Sequence, residues 1–437
     1  MSQGTTVARP AAGQRSAGFA VLICFVTIVF DGYDLVVYGT TLPSILAFDE
    51  WGVTPDQAGV IGSYALIGML VGALVVGAVT DILGRRKVML FSVIWFSLAM
   101  VATAAAPNAE VFGLLRFVAG IGLGGVVPTA VALTVEYSPR HRRQLNNALM
   151  FSGFFVGAIL SALVGMALLP DTDFRVMYLL GGLPLVTVVP IAWRYLPESI
   201  TFLRAAGRHD EAARLAAQYG ITPGDVASSP PAESGGPARR GLTTAMRPLF
   251  ARRYVAATFI FAAASFCGLL LVYGLNTWLP KIMNDAGHGL GSSLSFLLAL
   301  NIGGIVGTVA MSHVADRIGV KVVAVGAFLL AAGSIVCLSA DLPYGLVFVL
   351  VAAAGTGTGT QILINGYVAT HYPDGSRASA LGWSLGTGRL GAIAGPSLGG
   401  FIVASTLGYQ WNFYLFAGFA LLGCVLIAMV PRRPPLS

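Results

Sequence analysis

Two carboxylates three residues apart lie inside a long apolar run: Asp31 and Asp34 of Asp31-Gly32-Tyr33-Asp34, within AGFAVLICFVTIVFDGYDLVVYGTTL from Ala17 to Leu42. On a helix, positions i and i+3 share a face, so both acids point the same way. A charged acid at the bilayer centre costs about 2.5 to 3.5 kcal/mol, so intramembrane acids face wet cavities and mark ion or substrate pathways. A carboxylate stripped of water also takes up a proton more readily and gives it back when water or a cation returns. That is the chemistry a proton-coupled carrier needs. Two arginines lie at comparable depth, Arg116 and Arg389. Arginine stays protonated, so each needs a carboxylate, backbone carbonyls or an anionic ligand, and its planar fork suits a carboxylate. A permanent salt bridge locking two helices is the competing account of each.

These charges need helices to hold them at depth. Of 437 residues, 56% are hydrophobic and 10% charged, against about 25% charged in soluble domains, so an all-α polytopic membrane protein is expected. Apolar runs predict twelve transmembrane helices in two six-helix bundles. The first six fall near 18–42, 57–80, 88–106, 109–134, 145–169 and 176–196; the second six fall near 254–279, 292–314, 321–340, 343–369, 379–406 and 411–430. The expected organisation is an N-terminal tail over 1–17, a bundle over 18–196, a central linker over 197–253, a bundle over 254–430 and a tail over 431–437. The first apolar run is too long for a signal core and lacks an A-x-A site, so it reads as a retained helix. The linker opens with an expected amphipathic helix from Arg204 to Tyr219 and continues as TPGDVASSPPAESGGPARR, the composition of a disordered segment.

Basic residues sort by side. With the linker lie Arg85, Arg86, Lys87, Arg140, Arg142, Arg143, Arg317, Lys321, Arg377, Arg432 and Arg433; opposite lie Arg175 and Lys281. The positive-inside rule then predicts a multi-pass protein of the cell membrane with both termini cytoplasmic, and explains the net charge of +7 as topology, with no nucleic-acid partner. Cys24, Cys267, Cys337 and Cys424 sit singly in apolar segments without metal spacing and read as buried hydrophobes. No nucleophile or His/Glu/Cys constellation points to an enzyme, and neither a cofactor nor a metal is expected.

Gly77-Ala-Val-Thr-Asp81-Ile-Leu-Gly84-Arg85-Arg86-Lys87 after the second span recurs, degenerate, as Ser312-His-Val-Ala-Asp316-Arg317-Ile-Gly319-Val-Lys321 after the eighth. An acid at a helix end, a glycine turn and basic residues make a tight hinge, and its recurrence implies duplicated bundles with a site between them. Here the chain resembles the major facilitator superfamily, whose loop motif is G-x-x-x-D-R-x-G-R-R; Ile82 replaces the first arginine, and the second copy has Ser312 and Val320. Arg116 with GIGLGG, Gly120 to Gly125, resembles that family's R-x-x-x-G-x-G. The Asp31-Gly32-Tyr33-Asp34 motif, NTWLPKIM from Asn276 to Met283 and RASALGWSLGTGRLGAIAGP from Arg377 to Pro396 together look like the aromatic acid:proton symporter family. LPESITFL, Leu196 to Leu203, occurs there too but is shared with sugar porters. The resemblance implies import of benzoate-type or hydroxybenzoate-type anions with protons as the coupling ion.

By that resemblance Arg116 joins Asp31 and Asp34 in proton coupling, while Arg389 is our choice for the substrate carboxylate. Tyr273, Asn276, Asn301, Gln361 and Asn365 are candidates to hydrogen-bond a ring hydroxyl, although amides also glue helices together. Trp278 and Trp383 are candidates to stack on a ring, although Trp383 lies well around the helix from Arg389. Tyr38 offers a hydroxyl near Asp34, or serves as an interface tyrosine. Gly77, Asp81, Gly84, Arg85, Arg86, Glu136, Asp316, Arg317 and Arg377 form the expected cytoplasmic gating network, with a capped turn and topogenic charge as the plainer account. His313 reads as a helix-end histidine. GIGLGG follows no strand, so dinucleotide binding is excluded, and it reads as a packing surface; GAIAGPSLGG, Gly391 to Gly400, reads likewise. The expectation is a monomeric symporter for an aromatic carboxylate. Its rivals are a carrier of another organic anion, an exporter, and a non-transporting sensor that would need no titrating pair.

Overall fold

The computed structural model describes residues 17–139, 142–219, 221, 247–340 and 342–431. Among them, regular structure is helical: α1 Ala17–Leu46, α2 Pro55–Leu83, α3 Arg85–Ala104, α4 Ala109–Tyr137, α5 Arg143–Leu168, α6 Arg175–Leu180, α7 Val188–Tyr195, α8 Ile200–Ala205, α9 His209–Gln218, α10 Val255–Asp285, α11 Leu290–Ile318, α12 Val320–Cys337, α13 Tyr344–Thr358, α14 Thr360–His371, α15 Asp374–Ala404 and α16 Gln410–Met429. Eleven segments are long and apolar enough to cross a membrane, counting Arg175–Tyr195 and Tyr344–His371 as one each. Helix α15, at 31 residues, is as long as any of them but is diluted by glycines and by Arg389.

Three expectations change in detail. The sixth segment is broken by a 3-10 turn at Leu183–Leu185, where Gly181, Gly182 and Pro184 interrupt the helix. The single amphipathic helix expected from Arg204 to Tyr219 is two, α8 and α9, because Gly207 turns the chain at φ +75°. Cys337, read as buried, is exposed, whereas Cys24 and Cys267 are buried. The terminal tails and the low-complexity stretch, with Arg432 and Arg433, lie outside the described residues.

Duplication shows in the packing. Helix α1 packs on α5 and α2 on α4; in the second half α10 packs on α15 and α11 on α13. Matching pairs approach closely. A Cβ on Gly120 would strike the Ala65 carbonyl oxygen in α2, and one on Gly355 would strike that of Leu300 in α11, so GIGLGG is a helix-packing surface. The two hinge copies also share a backbone. Gly84 and Gly319 each end one helix and start the next, at φ +91° and +96°, a region that strains residues with a Cβ.

The halves meet through α1 on α10, α2 on α15 and α5 on α11. Near the α1–α2 loop, Ser63 donates to the Ile393 carbonyl at 2.6 Å and bonds Ser397 at 2.8 Å, while Gly59 abuts Gly400. Gly77 lies about five turns along α2 from Gly59, and Gly382 about five turns back along α15 from Gly400, each on the same helix face. Among the described residues, nothing lies within 4 Å of a Cβ placed on either. The halves thus close at one end and part towards the hinge end.

Gly120→Ala is expected to cost about 1 to 3 kcal/mol through overpacking against α2 backbone, whereas Gly326→Ala, which among the described residues has nothing within 4 Å, is expected to keep or slightly raise stability, since alanine is the better helix former. Thermal unfolding of the detergent-solubilised protein checks this; equal melting temperatures for the two would refute the packing account.

Candidate functional site

The two acids of α1 have different partners. Asp34 pairs with Arg116 of α4, each only 1% exposed. The Tyr38 and Tyr178 rings flank that guanidinium, both 5.9 Å from its carbon, and its Nη1 also reaches Met100 Sδ at 3.7 Å. The hydroxyls of both tyrosines are engaged: Tyr38 donates to the Ala58 carbonyl at 2.5 Å, and Tyr178 bonds Thr41 at 2.9 Å. This ion pair is enclosed within the first half.

Asp31, one turn earlier and 2% exposed, has a buried carboxylate oxygen, Oδ1, without a hydrogen-bond partner. It interacts electrostatically with Asp34 and, across the halves, with Arg389 of α15. Arg389 is half-buried and donates from Nη1 to the Met69 carbonyl of α2 at 3.2 Å. Tyr273 of α10 interacts with both Asp31 and Arg389. Its ring meets Phe154 of α5 edge-on, centroids 6.3 Å apart at 73°. Asp31 and Phe154 from one half and Arg389 and Tyr273 from the other therefore converge at mid-depth. Phe154 went unnoticed in the sequence, because a phenylalanine in an apolar helix carries no signal.

Other second-half candidates are engaged within the protein. Asn276 donates to the Val272 carbonyl at 2.7 Å and accepts from Asn301 at 2.9 Å. The Trp278 indole donates to the Pro396 carbonyl at 2.6 Å, beside Gly399. Gln361 donates to Asn365 at 3.0 Å and to Ser265 at 3.3 Å, leaving its own oxygen buried without a partner. Trp383 packs edge-on against Phe250, 5.4 Å away, next to the turn that precedes α10.

At the hinge end, the structure gathers Arg85, Arg86 and Glu136 around a residue the sequence reading passed over. Glu198 accepts from the backbone N–H of Arg86 at 3.0 Å and lies where a side chain on Gly84 would go, 2.6 Å from an added Cβ. Arg85 bonds Ser199 and lies 3.7 Å from Glu136, which accepts from the Thr201 hydroxyl at 2.6 Å. The signal was present in LPESITFL, whose glutamate follows the sixth span directly. The second copy is looser: Arg317 bonds His313 at 3.1 Å, and Asp316 is exposed, as is Arg377. The Asp81 side chain and Arg140 lie outside the described residues. No group of His, Cys, Asp and Glu able to hold a metal occurs among the described residues.

A family model described as Major Facilitator Superfamily matches residues 24–359 and 293–437. A benzoate transport protein of Acinetobacter baylyi is 36% identical over 94% of this chain and 89% of its own. A gentisate transporter of Corynebacterium glutamicum is 38% identical over 96% and 88%. In fold, the inward open conformation of the xylose transporter XylE from E. coli superposes with a TM-score of 0.77 at 14% identity, covering 96% of this chain and 97% of that one. On these matches, together with the duplicated helix pairs and paired hinges, the chain is a membrane transporter that belongs to the Major Facilitator Superfamily, in the group that includes benzoate and gentisate transporters.

Proposed function

We propose that the protein imports an aromatic carboxylate together with protons, by alternating access of two six-helix halves, with α15 as the twelfth span and both termini cytoplasmic. The observation that carries this reading is the Asp31 carboxylate, buried, with one oxygen unpartnered, and coupled across the halves to Arg389. A buried anion without a partner is costly, and either a proton or a nearby cation relieves the cost. When Arg389 turns to an incoming carboxylate, Asp31 loses its counter-charge and a proton takes that place. Proton and substrate then stabilise one state, which is what coupling requires. The Met69 carbonyl occupies one N–H of Arg389, and the rest of its five-donor fork suits a carboxylate. Relatives that carry benzoate and gentisate support an aromatic acid as the cargo. With the positive hinge loops inside, the hinge end faces the cytoplasm, and the network around Glu198 and Glu136 is the cytoplasmic gate.

A membrane potential contributes about 2.3 kcal/mol per net charge per 100 mV, so more than one proton per monoanion lets the carrier exploit it. The test is uptake of labelled aromatic acids and non-aromatic organic acids by proteoliposomes under an imposed pH gradient. Accumulation of an aromatic acid that collapses with a protonophore is expected. Uptake indifferent to the gradient would overturn proton coupling, and accumulation of only non-aromatic acids would overturn the cargo.

A further inference from the structure

We propose that Phe154 is the residue that makes this carrier select an aromatic ring over a saturated one, a role that rests on the aromatic carboxylate reading above. Phe154 stands on α5, and its backbone fits against Gly32, the residue next to Asp31: a Cβ on Gly32 would strike the Phe154 carbonyl oxygen. Its position is therefore fixed by backbone packing at the proton site. Its ring is half-buried and points across the interface to Tyr273, the residue that interacts with both Asp31 and Arg389.

The pair's separation of 6.3 Å lies towards the loose end of the usual range for interacting rings, roughly 4.5 to 7 Å. A partner held so loosely yields to a better one. An aryl carboxylate with its anion on Arg389 brings its ring up to the Phe154 ring from the Tyr273 side. An aromatic edge meeting an aromatic face gains from opposed quadrupoles, which a cyclohexane ring of similar size lacks. The same contact spans both halves, so a ring bound there is gripped from both sides when they close. Leu269 and Ile393, which pack against the same apolar cluster as Phe154 and Tyr273, supply apolar area that serves either kind of ring, so the discrimination falls to Phe154.

The experiment compares uptake of benzoate and cyclohexanecarboxylate by proteoliposomes of the full-length wild type and of Phe154→Leu and Phe154→Tyr. Wild type is expected to show a kcat/KM for benzoate roughly 2- to 12-fold above that for cyclohexanecarboxylate. In Phe154→Leu this ratio is expected to approach one, and Phe154→Tyr is expected to restore it. A role in packing alone would lower both substrates together and leave the ratio intact, which overturns the proposal, as does a wild-type ratio near one. Should Phe154→Leu not fold, Phe154→Ile carries the same ratio test, with Phe154→Tyr again as the aromatic control. If wild type takes up neither acid while a pH gradient drives only non-aromatic anions, the aromatic reading fails and this proposal with it; if the gradient drives a hydroxylated aromatic acid instead, the same ratio is read against its cyclohexane analogue; if both rings enter equally, only the role of Phe154 fails.

Discussion

Asp31→Asn is expected to abolish accumulation driven by a pH gradient while leaving exchange of internal for external substrate measurable. Asparagine keeps the shape and cannot take up a proton, so the carrier should still shuttle loaded halves but lose the link to the gradient. The companion expectation separates the two acids. Asp34→Asn leaves Arg116 as a charge 1% exposed without its carboxylate, and breaking a buried pair in this way costs about 3 to 5 kcal/mol. Asp31→Asn breaks no hydrogen bond at the buried Oδ1, since that oxygen has no partner, so its melting temperature should stay at or above wild type. Removing both charges of the enclosed pair, Asp34→Asn with Arg116→Met, should recover part of the loss, because an apolar replacement of a buried pair is often tolerated. Equal thermal destabilisation by Asp31→Asn and Asp34→Asn would refute the division of labour, as would gradient-driven uptake by Asp31→Asn at the wild-type level.

That division was invisible in the sequence, although the residues were not. Charge inside lipid is so expensive that Asp31, Asp34, Arg116 and Arg389 announce themselves, and the hinge copies at Gly84 and Gly319 announce the duplication. Which acid meets which arginine depends on how α1 is turned about its axis, and that is set by contacts such as Gly32 on the Phe154 backbone. No local pattern carries that information. Amides show the same limit. Asn276 and Asn301 have the spacing and polarity of cavity residues, yet each meets the other, because a polar group in an apolar bundle takes whichever partner the tertiary fold brings near. Trp278 was legible as a large aromatic near the site, but its indole is committed to Pro396 at the closed end. Glu198 was missed for the opposite reason: a motif shared by many porters says little about cargo and a good deal about the gate.

Arg389→Lys is expected to lower kcat/KM for the aromatic acid by roughly 10- to 100-fold, mainly through KM, while the protein folds and melts as wild type does. Lysine keeps the charge that faces Asp31 and can still reach a carbonyl such as that of Met69, so the electrostatics and the contact between halves survive. What it loses is the planar fork, and with it the second of two parallel hydrogen bonds to a carboxylate, a charge-assisted bond of about 1.5 to 3 kcal/mol. Concentration dependence of uptake in proteoliposomes measures this. The alternative, a permanent interhelical tie to Asp31 and the Met69 carbonyl, makes the reverse forecast: substrate affinity unchanged and stability reduced, as for Asp34→Asn. Because Arg389 is half-buried where Arg116 is enclosed, the two arginines should part in the assay, with Arg116→Lys acting on folding and Arg389→Lys on KM. An Arg389→Lys carrier with wild-type KM would move the anion site elsewhere and leave Asp31 without a reason to take up a proton when substrate arrives.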